Sequence, residues 1–483
     1  AIFGLVISSV FKQFPQAIFP CVIQIPLAIT LGIYIRKQGA SLLIPSIVAL
    51  AIMYLSVIFG NDGWLGTFNQ TLAAWPTMTW VIVLLGYCFI ASVLPVWTLL
   101  QPRDFINSIQ LLSALALIIV GLVAAALLGG RGVGPDHVRP PLEFVAPAFD
   151  PNPTGAPMIF PFLFITIACG AISGFHCLVA SGTSSKQLRK ETDAPLIGFG
   201  SMLTEGFLAT LVILACTAGI GLGVAAADGS TLFGTAAWDA RYTSWDSMGL
   251  KQTVGAFVEG ASNFLGAIGI PATVGLALMG VFVASFAATT LDTATRLQRY
   301  VIHELGRTMT GTQAKTKKRM PMPLSPHYWL ANRYIATGIA VVVAASLAAV
   351  PLDDTWSWAQ LGTGGLLLWP MFGATNQMLA GLAFLVIAFY LWRRKKPIWF
   401  LVLPLLLMIV LPTWAMIQQA YIGYDGSDSW FEAERWLLVV IASVTIVLQI
   451  WMVIEGIILF PRVRGVLENK PQTNCFNTTL TPP

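Results

Sequence analysis

Charged side chains are scarce in this sequence. Asp, Glu, Lys and Arg together make up 10% of its 483 residues, whereas 56% are hydrophobic. A soluble globular protein carries about a quarter charged residues, so a soluble fold is excluded. Mean hydropathy is +0.76, and the apolar residues form runs of membrane-spanning length, about 20 residues each. The sequence therefore predicts an all-α, polytopic integral membrane protein whose main partner is the lipid bilayer.

Motifs of nucleotide, metal and catalytic sites are also missing. The sequence contains no GxxxxGK[ST], HExxH, GxSxG or DDxxD, so ATP-driven transport, a zinc centre and a membrane-embedded enzyme are not expected. None of its six cysteines forms a CxxC pair, and five fall within apolar runs, which indicates small apolar packing residues. No cofactor, metal ion or nucleic-acid partner is expected.

The apolar runs between polar breaks predict eleven transmembrane helices. A further partial span is predicted at the amino terminus, over AIFGLVISSV at 1–10, and upstream sequence is expected before it. The eleven predicted spans are 17–35, 41–60, 79–100, 107–129, 158–182, 196–222, 264–292, 332–352, 364–391, 397–418 and 436–460. The predicted domains are a transporter core over 1–330, carboxy-terminal helices over 331–465 and a tail over 466–483.

Basic residues alternate between the loops. With these spans, 21 of the 27 Lys and Arg residues fall on one side of the membrane, where the carboxy terminus also lies. The positive-inside rule makes that side cytoplasmic. The net charge of +5 thus reports topology and contact with anionic lipid.

Three apolar runs are interrupted by glycine, proline or polar residues: LPVWTLLQPRDF at 94–105, TIACGAISGFHCLVASGTSSKQ at 166–187 and WPMFGATNQMLAG at 369–381. In hydrocarbon, such interruptions must be buried in protein or line a cavity, and transporters place substrate sites on broken helices. Pro95 and Pro102 are expected to loosen the helix end before Arg103 and Asp104. The other two runs predict a substrate site.

Two glycines in the second run leave an alternative open. Gly170 and Gly174 have the GxxxG spacing, which also suits close packing of helices without any ligand. Asn376 and Gln377, predicted at a comparable depth in another span, favour the substrate site.

Ionisable residues within spans are candidates for proton coupling. At 1.5 Å per residue, His176 and Glu205 lie at similar depths in consecutive antiparallel spans, so a contact between them is predicted, either as a proton-exchanging pair or as a fixed hydrogen bond. Asp292 is a third candidate. The preferred interpretation of Asp292 is structural, as an i,i+4 ion pair with Arg296.

Residues 223–262 form a long loop of mixed character. It fits an interfacial or re-entrant helix that could act as an outer lid, or an ordinary connector.

The three interrupted runs strongly resemble motifs of the carbon starvation protein family of bacterial inner-membrane transporters. They occur in the family's order, and the similarity covers residues 17–465. The resemblance implies a secondary transporter with inverted repeats and discontinuous helices, expressed under nutrient limitation. It also implies uptake of short peptides or proton-coupled uptake of pyruvate. Members carry further amino-terminal spans with a Gly-rich segment, so this chain is expected to be incomplete at that end.

The resemblance also implies the substrate-binding positions, which are those in the matched motifs: Gly170, Ser173, Gly174, His176, Thr375, Asn376 and Gln377. His176, Glu205 and Asp292 are the expected proton-coupling residues. The leading hypothesis is therefore a proton-coupled importer of a small peptide or pyruvate-like carboxylate. The alternatives are a passive channel and a fragment that does not transport.

Overall fold

The structure is a computed structural model of the whole chain, and apolar α-helices dominate it. It describes residues 1–38, 41–132, 139–150, 153, 155–226, 230–245, 248–309, 329–351, 356–358, 360–423 and 428–465. The helices fall into two compact units, one formed by Ala1–Ala156 and Leu188–Leu367 and the other by Pro157–Gln187 and Leu368–Pro483. They are called unit 1 and unit 2 below. The predicted domain boundaries at 330 and 465 stay a prediction.

Unit 1 contains eleven of the α-helices that the structure describes. They are α1 (Ile2–Gln13), α2 (Ile18–Gln38), α3 (Leu43–Ile58), α4 (Gly63–Ala73), α5 (Thr77–Val93), α6 (Leu100–Leu128), α7 (Ser201–Leu214), α8 (Gly234–Arg241), α9 (Leu250–Ala267), α10 (Ala272–Met309) and α11 (Arg333–Ala348). Val224–Ala225 (β1) and Thr231–Leu232 (β2) pair as a short antiparallel hairpin. The long helix α10 packs against α1, α5, α9 and α11, and it contributes Met279, Val281 and Ala284 to the core.

Unit 2 is smaller. Its described α-helices are α12 (Phe164–Ala171), α13 (Gly174–Gly182), α14 (Trp369–Arg393), α15 (Trp399–Ile417) and α16 (Trp436–Leu459). The helix α14 is central, because α12, α13, α15 and α16 all pack against it. Met371, Ala374 and Met378 on α14 pack with Met416 and Ala442 in an apolar cluster.

The predicted helical membrane protein is confirmed. Among the described residues, eight helices are long and apolar enough to cross a membrane, or nine if the bent pair α3 and α4, at 83°, is one span. The eight are Pro15–Lys37, Leu100–Leu128, Ile159–Lys186, Glu191–Leu222, Ala272–Thr308, Met371–Arg393, Trp399–Ile422 and Trp436–Val463. The predicted spans 79–100 and 332–352 correspond to α5 and α11, which are apolar but shorter.

Two sequence-based expectations differ from the structure. The span predicted over 264–292 begins instead at Ala272, because residues up to Ala267 belong to the separate helix α9. That helix packs against α6 and α10, and Val258, Ala261 and Phe264 are fully buried. The second half of the 223–262 segment is therefore a buried helix of unit 1 and not a plain connector, and its role as a re-entrant helix or outer lid stays a prediction.

Candidate functional sites

A buried ion pair joins α6 and α10 within unit 1. The side chains of Arg103 and Asp292 are 2% and 0% exposed. The guanidinium Nη1 of Arg103 donates to Asp292 Oδ2, and its Nη2 donates to Oδ1 at 3.2 Å. Tyr87 on α5 completes the group, since its hydroxyl donates to Asp292 Oδ2 at 3.0 Å and accepts from Arg103 Nη1 at 2.6 Å. These three residues are called the ionic junction below.

A helix break places Arg103 in this group. Leu94 precedes Pro95, and residues before proline are pushed into extended backbone; Leu94 has φ −63° and ψ 151°, and α5 ends there. The chain resumes helical structure at Leu100, so Arg103 lies in the first turn of α6. The predicted loosening at Pro95 is thus confirmed, whereas Pro102 lies inside the first turn of α6, where a missing N–H costs little.

The predicted i,i+4 pair of Asp292 with Arg296 is wrong. The guanidinium of Arg296 donates instead to the carbonyl oxygens of Ala91 and Leu94, both at 2.9 Å. Because the last carbonyls of α5 have no partner within their own helix, a cation there satisfies them and the helix dipole together. Arg296 is therefore committed to the end of α5, and the counter-charge of Asp292 comes from Arg103.

Neutral polar side chains continue the junction along the same faces of α6 and α10. Asn107 follows Arg103 by one turn; it donates to Thr289 Oγ1 at 2.6 Å and accepts from the amide of Gln24 on α2. One turn further, Gln110 is 1% exposed, and neither of its side-chain amide atoms has a partner among the described residues. Within the described part of unit 1, the ionic junction thus forms one end of a row of buried polar side chains that runs about 10 Å along α6, from Arg103 to Gln110.

A second polar group lies at the break in unit 2. The helix α12 ends at Ala171 and α13 begins at Gly174, which confirms the predicted interruption. Ser173 caps α13 by accepting from Phe175 N at 3.2 Å, and Asn376 Oδ1 on α14 accepts from the same N–H at 2.9 Å. The Nδ2 of Asn376 donates to Ser173 Oγ at 2.9 Å and to Cys169 Sγ at 3.2 Å. These residues are called the amide junction.

The two glycines of the GxxxG pattern behave differently. A Cβ at Gly174 would collide with the backbone oxygen of Asn376 and lie 2.9 Å from the nitrogen of Ala380, so α13 touches α14 here. A Cβ at Gly170 would meet nothing within 4 Å. Close packing therefore accounts for Gly174 and leaves Gly170 without that role.

The remaining predicted site residues are dispersed. Thr375 bonds the carbonyls of Met371 and Phe372 in its own helix, and Gln377 is fully buried with no described partner for either amide atom. The predicted interruption of the span at these residues is wrong, because α14 is continuous from Trp369 onward. His176 is exposed in unit 2 and Glu205 is exposed in unit 1, and their predicted contact stays a prediction.

Sequence reasoning missed the partners of Asp292. Arg103 was counted among the basic loop residues because it follows a proline-containing break, and Tyr87 lies in an uninterrupted apolar run. The available signal was the charge itself, since a buried arginine needs acceptors from another part of the chain, either a carboxylate or free backbone carbonyls.

Comparison with known proteins agrees with this architecture. The carbon starvation protein CstA family matches residues 1–415. The chain belongs to the carbon starvation protein family. No solved structure matches the chain.

Curated relatives cover most of this chain. A protein of Campylobacter jejuni named peptide transporter CstA is 33% identical over 470 residues, covering 88% of this chain and 61% of the relative. Escherichia coli has a pyruvate/proton symporter BtsT, 28% identical, with 86% and 61% covered, and a peptide transporter CstA, 29% identical, with 87% and 61% covered. The chain thus spans about three fifths of the length of these relatives.

Proposed function

We propose that this protein is a proton-coupled secondary transporter that imports a small nutrient carrying a carboxylate, either pyruvate or a short peptide, when carbon is scarce. The observation that carries the proposal is the ionic junction: a fully buried carboxylate, Asp292, bonded by Arg103 and Tyr87 between membrane-spanning helices. The names of the relatives, peptide transporter and pyruvate/proton symporter, supply the two substrate classes.

A buried ion pair such as Arg103 and Asp292 has a high free-energy cost. Removing two ions from water costs several kcal/mol each, and the pair regains little beyond that cost. Two apolar side chains of similar volume would hold α6 against α10 as well. A buried ion pair inside a membrane protein therefore favours a functional role, and proton exchange by a carboxylate is one such role in pumps and transporters.

The proposed roles follow from this geometry. Asp292 carries the coupling proton, with His176 and Glu205 as further proton-exchanging residues at exposed positions. The proposed substrate-binding residues are those of the second and third motifs: Gly170, Ser173, Gly174, His176, Thr375, Asn376 and Gln377. Gln377 is favoured among them, because its buried amide still has its full hydrogen-bonding capacity within the described part of the chain.

The proposed location is the bacterial inner membrane, with the carboxy terminus in the cytoplasm. The alternation of basic loops supports this orientation.

Uptake in proteoliposomes tests the function. Vesicles containing the full-length protein should accumulate labelled pyruvate or a labelled dipeptide when the outside is acidic, and a protonophore should abolish the accumulation. Accumulation that is indifferent to the protonophore would refute proton coupling. Flux that only equilibrates the substrate, at channel-like rates in bilayer recordings, would identify a passive channel.

A further inference from the structure

We propose that Arg103 binds the carboxylate group of the transported substrate at one step of the cycle, and that Asp292 takes up one proton as it gives up the guanidinium. This inference rests on the proposed function and deepens it, since it names the group that recognises the substrate and fixes the number of protons. The mechanism is an exchange of ion-pair partners: the internal carboxylate leaves Arg103 and the external carboxylate replaces it.

The geometry of Arg103 suits this exchange. Its two Nη atoms reach the two oxygens of Asp292, so the guanidinium already binds a carboxylate end-on through two donors. A substrate carboxylate has the same planar shape and charge and needs the same two donors. The Nε of Arg103 is buried without a partner among the described residues, so the guanidinium retains one donor that Asp292 does not use.

Other contacts would keep Arg103 in place after Asp292 leaves. Its Nη1 donates to the hydroxyl of Tyr87 at 2.6 Å, and its Nη2 lies 3.3 Å from Asp104 Oδ1. Asp104 is 45% exposed, so the guanidinium lies one side chain away from the surface of unit 1. The arginine is thus anchored independently of Asp292 and close to a point of access.

Charge conservation determines the proton count. Arg103 and Asp292 together are neutral, so an added pyruvate anion leaves one uncompensated negative charge in a region of low dielectric. A proton on Asp292 cancels that charge and also removes the competition for the guanidinium. The proton comes from the aqueous side from which the substrate enters. The O–H bond of the protonated Asp292 carboxyl group is the one covalent bond formed.

Other charged and titratable groups lie near Arg103 and Asp292 in the described part of unit 1. Asp104 on α6 bonds Arg103 and interacts with Arg296 on α10, and the thiol of Cys88 on α5 lies beside Asp292. Arg296 is bonded to backbone carbonyls of α5, and Asp104 is partly exposed to solvent. Asp292 is therefore the carboxylate whose protonation the burial of a substrate anion demands.

The test measures the charge moved per substrate. Wild-type proteoliposomes import pyruvate with one proton, so uptake is electroneutral and indifferent to a potential set with potassium and valinomycin. In Asp292→Asn the proton acceptor is gone, and pyruvate enters as an anion that an inside-negative potential slows.

Asp104→Asn is the matched control, because it neutralises the other carboxylate at the same guanidinium. It removes one anchor of Arg103 and should slow uptake, but it should keep the wild-type charge moved per substrate. If Asp292→Asn imports pyruvate more slowly but with the wild-type charge per substrate, the proposed exchange of ion-pair partners is refuted. The proposed transport function is unaffected by that result. Wild-type vesicles that import neither substrate would refute the proposed function itself.

Wild-type selectivity gives a second measurement that needs no variant. Pyruvate should compete with labelled pyruvate at least 10-fold better than its neutral amide, since only the carboxylate replaces Asp292 on Arg103. Equal competition by the amide would overturn the assignment of Arg103, whatever the variants show.

Discussion

The ionic junction of unit 1 and the amide junction of unit 2 are built on the same plan but with different chemistry. Each lies beside a helix break, one before α6 and one between α12 and α13, and each ties the broken segment to a long continuous helix. The ionic junction uses a guanidinium and a carboxylate, whereas the amide junction uses Asn376, Ser173 and a backbone N–H. One proton can neutralise the carboxylate of the ionic junction, whereas the amide, hydroxyl and backbone groups of the amide junction carry no charge.

This difference separates two roles that buried polar groups have in membrane proteins. A neutral amide that caps a helix end satisfies backbone groups which lipid cannot satisfy, and it does so at every pH. A buried ion pair is a costly way to hold two helices together, and its two charges respond to an arriving proton or anion. We therefore expect proton coupling to depend on the ionic junction of unit 1. The helix break between α12 and α13 in unit 2 should depend on packing and capping.

The largest effect on stability is expected from breaking the ion pair on one side. Asp292→Leu leaves the guanidinium of Arg103 buried without its counter-charge, which should lower the free energy of unfolding by about 3–5 kcal/mol. Denaturant unfolding in detergent micelles, followed by tryptophan fluorescence, measures this loss.

The double variant Arg103→Met with Asp292→Leu is the control for that measurement. Because it removes both charges, it should recover most of the lost stability. Transport should be absent in the double variant, because Arg103, which binds the substrate, is gone. A double variant as unstable as Asp292→Leu would contradict the claim that the junction is retained for its charge.

A smaller loss is expected where the amide junction is packed most tightly. Gly174→Val places side-chain atoms against the backbone of Asn376 and Ala380, which should cost about 1–3 kcal/mol through overpacking. Gly170→Ala, one turn earlier in the same motif, meets open space and should be neutral or stabilise α12 by up to about 1 kcal/mol. Equal losses in the two variants, measured by the same unfolding assay, would show that the break is not held by contact at Gly174.

Removal of the capping amide should cost less again. Asn376→Leu deprives Phe175 N and Ser173 Oγ of their shared partner, and a lost cap is worth about 1–2 kcal/mol. Thr375→Val is the matched control, since Thr375 bonds carbonyls of its own helix alone in the described contacts and should change stability by less than about 0.5 kcal/mol. An unaltered melting temperature for Asn376→Leu would contradict the capping role.

The sequence sufficed for features that depend on local chemistry. Long apolar runs determine the spans, and the break at Ser173 follows from Gly170 and Gly174 flanking a helix-capping serine. The partner of Asp292 could not be found this way, because Arg103 lies 189 residues away and only packing brings α6 to α10. The choice of Arg296 was wrong for a related reason: the carbonyls at the end of α5 compete for it, and sequence spacing does not reveal that competition.

The smallest effect is expected at the two buried glutamines, one in each unit. Gln110 and Gln377 are 1% and 0% exposed, and neither has a described partner for its amide. Because an unsatisfied buried amide is unfavourable, Gln110→Leu and Gln377→Leu should each leave stability unchanged or raise it by about 1 kcal/mol. Transport should distinguish them: if Gln377 binds substrate, its replacement raises the KM for uptake without changing the charge moved per substrate. Gln110→Leu should leave that KM unaltered. Identical KM values for wild type and Gln377→Leu would show that Gln377 does not bind substrate. The positions of unit 2 tested by these variants would then have structural roles alone.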